Sequence, residues 1–271
     1  MKIMLELVAL TYVLAAAGGV LVGAISLPLI MSRSTLFALT MTHSVLGGAI
    51  LGIYLNSVLG LGLPIPIVAT LMALTLSIVA AELSEKIFAE DVAIALSVTI
   101  ATTITIIFSY LTIQVSSTGL SEAWLYVAGT SVIATIDDLQ RMATAVIIVA
   151  PLMHLISREL KYIAFDRDSA VALGLNTRLY RYIFFSLSAL ATSALASTLG
   201  VLAAHVLLAV PGAVAMRFGK KTSSMISYIA AVALALSGYF IAHLLGIPPS
   251  GGIGIVSGAA ILALVLSHER R

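Results

Sequence analysis

Long apolar runs separated by short polar breaks fill the chain from its first residues to its last. Nine of them are long enough to be read as membrane-crossing helices: 5–30, 35–57, 64–83, 91–114, 142–157, 180–197, 199–216, 224–245 and 251–267. A hydrocarbon core of about 30 Å needs about 20 apolar residues of helix, and in lipid only a helix or a closed barrel satisfies its own backbone polar groups. The pattern predicts an all-α, polytopic transmembrane helix bundle of about nine spans, with eight or ten also fitting. The breaks carry ordinary stop signals: Ser32-Arg33-Ser34, Gly60-Leu61-Gly62-Leu63-Pro64, Ser84-Glu85-Lys86 and Gly246-Ile247-Pro248-Pro249-Ser250-Gly251-Gly252. The runs at 180–197 and 199–216 are joined by almost nothing polar, so one of them fits a half-helix turning back within the membrane. The segment 116–141 is too polar to span and too apolar for a free loop. With Trp124 and Tyr126 as interfacial anchors, it is expected to lie along the outer surface.

Composition agrees with that pattern. The residues AVILMFWYC make up 61% of the 271 positions and DEKR only 10%, with a mean hydropathy of +1.14. A soluble domain carries about a quarter charged residues to cover its surface, so the solvent here is lipid. The net charge of +2 is spread over so apolar a chain that it makes no basic face for nucleic acid. Cysteine is absent, which removes disulfides and thiolate metal sites. The first apolar run is longer than a signal-peptide core and lacks a small-residue cleavage site, so it is expected to be a retained span.

The distribution of charge sets orientation, since cytoplasmic loops collect Lys and Arg. With nine spans, an outer N-terminus and a cytosolic C-terminus, the inner side holds Arg33, Lys86, Arg158, Lys161, Arg167, Arg178, Arg181, Arg217, Lys220, Lys221, Arg270 and Arg271. Only Lys2 and Arg141 fall outside. Shifting the count by one span destroys this asymmetry.

Two kinds of segment carry chemistry. The longest inner hydrophilic stretch, 158–181, contains a short amphipathic helix: Asp168 or Ser169 can cap its start, Ala170, Val171 and Leu173 are apolar, and Gly174 can end it in a left-handed cap. Such a loop is most often a solvated linker, but its small apolar face suits a partner's groove. The second kind is the polar group inside a span, which hydrocarbon makes expensive. His43 lies in the second span and His205 in the seventh, six residues before Pro211. Imidazole is a common ligand for divalent transition metals, although a single membrane histidine is more often hydrogen-bonded to a neighbouring helix. His154 and His243 lie nearer span ends, Met41 faces away from His43, and Glu6 and Glu82 can reach the interface. The spacings Gly19/Gly23 and Gly48/Gly52 suit close helix packing.

Three stretches resemble the ABC-3 permeases of zinc, manganese and iron importers. His43-Ser44-Val45-Leu46-Gly47-Gly48 is similar to that family's His-Ser-Val-Leu-x-Gly; Asp168, Ala170 and Gly174 match an Asp-x-Ala-x-x-x-Gly motif; and Gly200 to Arg217, through Leu207, Leu208, Pro211, Ala213 and Ala215, resembles a Gly-Ala-Leu, apolar, Leu-Leu-x-x-Pro-Ala-Ala-Thr-Ala-Arg pattern. The external segment from Trp124 to Asp138 looks like a fourth, a Tyr-Leu-Phe-Gly-Asp stretch. The resemblance implies a single permease domain over 1–271 in a prokaryotic cell membrane. It also implies a homodimer enclosing the metal path, a cytosolic ATPase docked on a coupling helix at 166–175 (Asp166, Asp168, Ala170 and Gly174), and an external metal-binding protein. Arg217-Phe218-Gly219-Lys220-Lys221 would lie near that helix. The cargo would be a divalent metal ion held by His43 and His205, with no cofactor bound by the chain and ATP used by the partner.

The chain departs from the family at Leu39, where an Asp is usual four residues before the histidine, and in the acid-free turn 246–252. Fewer oxygen ligands favour zinc over manganese. A metal chelate such as haem or a siderophore is the nearest rival cargo, although a bulky chelate needs no histidines along its path. An ion-coupled secondary transporter would want Asp, Glu or Lys within its spans, where this chain has only histidines. No Gly-x-x-x-x-Gly-Lys-Ser/Thr loop or His-Glu-x-x-His motif occurs, so neither an ATPase nor an intramembrane hydrolase is indicated.

Overall fold

A computed structural model describes residues 2–129, 135–218 and 222–269. Among these the order is α1 (Lys2–Met31), α2 (Phe37–Leu59), α3 (Ile65–Lys86), α4 (Glu90–Val115), α5 (Gly119–Ala128), α6 (Ile136–Phe165), α7 (Arg167–Ala172), α8 (Thr177–Thr198), α9 (Val201–Met216), α10 (Ser223–Leu245) and α11 (Pro249–Glu269). Eight of these are long and apolar enough to cross a membrane, and α9 is a shorter apolar helix. The chain is thus a polytopic bundle of about nine spans. Lys220, Lys221, Arg270 and Arg271 of the inner charge set, and 130–134 of the external segment, lie outside the described residues.

The helices pack as neighbours in sequence and across the bundle. Helix α1 is central, lying against α6, α9 and α10, while α2 is held by α3 and α4. The close packing expected of the glycine pairs is present. A Cβ on Gly19 or Gly23 would come within 2.6 Å of the α10 backbone at Val232 and Tyr228, and one on Gly48 within 2.8 Å of Ala69 Cα. Phe37 and Phe185 stack at 3.6 Å in the core at the inner end of α2 and α8.

Two elements differ from the expectation. Helix α6 is far longer than 142–157, because charged residues that end a hydrophobic run do not end a helix. A capping box of Thr135 and Asp138 starts it, and the Asp166 N–H closes it on Tyr162 O at 3.1 Å. The polar segment 116–141 contains a second surprise, the ten-residue α5, whose Ala123 is buried with Ile50 and Ile53 of α2.

At the α8–α9 junction the two runs are separate helices of opposite direction, joined through Leu199 and Gly200. Gly200 takes φ +94° and meets Gly129, at φ +88°, backbone to backbone; a Cβ on Gly200 would lie 2.6 Å from Gly129 N. Both require glycine, for conformation and for space. Helix α9, 16 residues long, extends only about 24 Å at 1.5 Å per residue, so this buried turn lies short of the outer surface.

Candidate metal path and coupling face

The two histidines expected to line a path converge. Helix α2 projects His43 and α9 projects His205, and their ring centroids are 5.7 Å apart with the planes inclined at 67°. Two imidazoles sharing one zinc-like ion, each with nitrogen about 2.1 Å from the metal, would have centroids about 5 Å apart. The observed spacing is close to that. Both rings are half-buried, and Leu39, one turn from His43 on the same side of α2, is 38% exposed.

Thr42, next to His43, fixes the second ring. Its Oγ1 lies 2.5 Å from His205 Nε2, 2.9 Å from Ala38 O and 3.1 Å from Leu39 O. A hydroxyl has one proton. Given to a helical carbonyl, it leaves Oγ1 to accept from Nε2–H, and the free lone pair of the His205 ring is then on Nδ1. This hydrogen bond from one helix to the other orients the ring. Among the described residues His43 has no hydrogen-bond partner, so both its nitrogens are uncommitted. Also among the described residues, no three His, Cys, Asp or Glu side chains gather as a metal-holding group. One chain therefore offers a pair of imidazoles.

The cytosolic loop folds as the amphipathic pattern predicts, with one change. Asp166, and neither Asp168 nor Ser169, caps α7: its carboxylate accepts from the N–H groups of Asp168 at 3.1 Å and Ser169 at 3.2 Å, and from the Ser169 hydroxyl. These donors, the Ser169 hydroxyl foremost, hold the Asp166 carboxyl below the usual aspartate range. The same residue that ends α6 thus begins α7. At the other end Gly174, at φ +82°, donates to Val171 O at 2.9 Å while Leu175 donates to Ala170 O at 3.1 Å, a Schellman closure. Ala170 is buried against the bundle, whereas Val171 and Leu173 are exposed.

Sequence reasoning missed what holds α7 in place. Glu85, at the end of α3, takes Arg167 of α7 at 2.6 Å on one oxygen and Arg181 of α8 at 3.0 Å on the other. Arg181 also reaches Glu90 at the start of α4, at 3.2 Å, and Ser84 at 2.9 Å. Glu90 in turn accepts from Ser34, in the turn before α2. A second, more exposed cluster joins Glu82 to Lys86, Arg178 and Tyr182. The signal was present as Glu-x-x-Glu-Lys at 82–86, but spacing alone does not reveal that its partners come from 80 to 100 residues away. Arg217, expected near α7, instead donates to Leu264 O of α11 at 2.8 Å.

A family model described as the ABC 3 transport family matches residues 3–268. An uncharacterised membrane protein from the ycf23-apcF intergenic region of Cyanophora paradoxa is 26% identical over 266 residues, covering 96% of this chain and 85% of that protein. Among solved structures, PsaBC from Streptococcus pneumoniae in complex with Fab superposes with a TM-score of 0.77 at 19% identity, over 93% of this chain and 88% of that one. An inward-facing ABC transporter described as of metal-chelate type gives 0.73 at 16% identity, over 93% and 85%. At these identities the two structures show a shared fold.

Proposed function

The chain belongs to the ABC 3 transport family, permease subunits of ABC importers, and from that premise we propose that its cargo is a divalent transition-metal ion, zinc ahead of manganese or iron. The observation that carries this reading is the His43–His205 pair, two imidazoles 5.7 Å apart on different helices with one held by Thr42. Neutral imidazole suits borderline metals, and the absence of a carboxylate at Leu39 weakens the preference for harder ions.

A zinc ion takes four ligands in its common tetrahedral geometry, and one chain supplies two. A second copy, facing the first across the exposed sides of α2 and α9, would supply the other pair and enclose the path. Two ligands from each side also suit transport, because separating the copies halves the site and releases the ion. In that cycle a cytosolic ATPase presses on α7 through Val171 and Leu173. The Arg167–Glu85–Arg181–Glu90–Ser34 chain carries the displacement to the start of α4 and to the turn before α2, where Ser34 is nine residues from His43. An external metal-binding protein delivers the ion, and the permease contributes no hydrolytic chemistry. A metal-chelate cargo is the alternative reading, favoured by the description of one structural neighbour.

The test is metal binding and uptake at matched expression. His43→Ala and His205→Ala should each abolish saturable zinc binding by the purified permease and reduce cellular uptake at least tenfold. Unchanged zinc binding in both variants would overturn the assignment, and uptake of an intact chelate with the histidines removed would favour the alternative.

A further inference from the structure

The first half of α6 places Asp137, Gln140, Arg141, Thr144 and Ile148 at i, i+3, i+4, i+7 and i+11, a single face of the helix. That face lines a cleft of about 460 Å³ whose other walls are α3 and α8. Thr70 of α3 and Ser193 of α8, hydrogen-bonded to each other at 2.6 Å, line those walls together with Leu190. We propose that this cleft holds a zwitterionic phospholipid with a primary-ammonium headgroup. The ammonium meets the Asp137 carboxylate, the phosphate meets Arg141 and Gln140, and an acyl chain follows Ile148 and Leu190.

Depth supports the assignment. Met142 through Ser157 carry no Asp, Glu, Lys or Arg, so Arg141 marks one edge of the hydrocarbon, on the side that the charge distribution makes the outer one. Helix α6 runs inward from there, so Thr144 and Ile148 lie about 4.5 and 10 Å deeper at 1.5 Å per residue. In α8, which runs outward, Ser193 likewise lies nearer that surface than Leu190. From the surface inward the cleft therefore presents charged side chains at 137–141, hydroxyls at Thr144, Thr70 and Ser193, and then the aliphatic Ile148 and Leu190. A phospholipid of that leaflet presents its headgroup, ester linkages and chains in the same order.

The charges at the mouth select the headgroup. Arg141 is ion-paired with Asp138, whose side chain is 7% exposed, while its own side chain remains 40% exposed. A guanidinium has five N–H donors, so this pair leaves some of them for a phosphate. Asp137 is exposed, and among the described residues no Lys, Arg or His lies within ion-pair distance of it. An uncommitted carboxylate beside a guanidinium with donors to spare is the complement of a cation and an anion carried on one headgroup. An anionic lipid would bring no cation to Asp137, and a choline headgroup has no N–H to donate to it.

One ammonium–carboxylate pair at an exposed site corresponds to about a five-fold preference over a choline headgroup. The measurement is tryptophan quenching by chain-brominated lipids. The full-length chain carries Trp124→Phe, which removes its only tryptophan, and Ile148→Trp as the reporter, and is reconstituted in phosphatidylcholine vesicles. Brominated phosphatidylethanolamine should bind about five-fold better than brominated phosphatidylcholine at this reporter. With the reporter moved to the exposed Ile107 of α4, away from the cleft, the ratio should be about one. Asp137→Asn should also reduce the Ile148→Trp ratio to about one, and Asp137→Lys should turn the preference toward brominated phosphatidylglycerol.

A ratio near one at Ile148→Trp, an equal preference at Ile107→Trp, or a ratio unchanged in Asp137→Asn overturns the proposal. Relief of quenching by millimolar soluble phosphoethanolamine would make the cleft a site for a free headgroup. Absence of quenching by either lipid at Ile148→Trp would mean that a helix of another protein covers it. Either outcome also overturns the proposal.

Discussion

Replacing Arg181 with Gln tests whether the inner ion network is structural, because the network contains one sheltered pair and one exposed pair as an internal control. The Arg181 side chain is 17% exposed and that of its partner Glu85 9%, with Nε and Oε1 3.0 Å apart. At that distance, with an effective dielectric constant of about 20, the gross attraction is about 5 kcal/mol, and desolvation offsets much of it. Removing one member of a buried pair costs about 3–5 kcal/mol, because the other charge is stranded. Here Glu85 keeps Arg167 at 2.6 Å, so the loss should be smaller, about 2–3 kcal/mol. For a chain of this size each kcal/mol moves the melting midpoint by about 2–4 °C, so Arg181→Gln should lower it by about 5–10 °C. Thermal unfolding of the detergent-solubilised permease reads this directly. Arg178→Gln is the control: its side chain is half exposed and its partner Glu82 more than a third exposed, so its midpoint should stay within about 2 °C of the parent. A double-mutant cycle of Arg181 with Glu85 should give a coupling of at least about 1 kcal/mol. Equal melting of parent and Arg181→Gln, or an equal shift in Arg178→Gln, would refute the reasoning.

Other outcomes follow from single contacts. Gly174→Ala has open space around its new methyl group yet must hold φ +82°, so it should weaken the end of α7 by about 1–2 kcal/mol and lower ATPase co-purification without loss of membrane insertion. Gly174→Pro also removes the N–H that bonds Val171 O, and should uncouple the ATPase outright. Asp166 titrates below the ordinary aspartate range in the folded chain. Its cap is therefore complete at neutral pH and is lost only as pH falls through that lowered value, and Asp166→Ala should lower the protection of the Asp168 and Ser169 amides, relative to their intrinsic exchange rates, at pH 7 as acid does in the parent. Thr42→Val removes the hydroxyl at His205 Nε2 and should weaken zinc binding about 10–100-fold, with His43 in place. Gly212→Ala should fail to assemble, since its Cβ would come within 2.5 Å of Ser26 O, although Ala is the better helix former.

Much of the bundle was readable because lipid imposes a simple rule on runs of apolar residues, and α2, α3, α4 and α10 begin and end within a few residues of the expected positions. The rule failed where charge and helix boundary part company. In α6 the charged ends, Asp137 to Arg141 and Arg158 to Lys161, remain helical because headgroups and water solvate them. In α5 the apolar content was too low to register, and only the burial of Ala123 against α2 reveals it. His43 and His205 were legible as unusual residues in apolar surroundings. Thr42 was not, because a threonine in a helix commonly bonds a carbonyl one turn back, as this one also does. The ion network was hidden for a different reason: its members are paired by the antiparallel return of α8 beside α3, and no local periodicity encodes that return.

The backbone contact of Gly129 with Gly200 also determines where the chain can be labelled. Reporter tags are commonly placed in outer loops to read topology, and Gly60, Gly62 and Gly246 sit in turns with open space around them. Insertions there should be tolerated and should report an outward face. The junction between α8 and α9 is an outer turn by sequence order, but it lies inside the protein with another strand of backbone pressed on it. A tag placed at 199–200 would lose the fold along with the label. A topology map made by insertion would therefore find no tolerated outer site between α8 and α9 and would merge them into one crossing, and only the outward reading at Gly246 would restore the missing reversal.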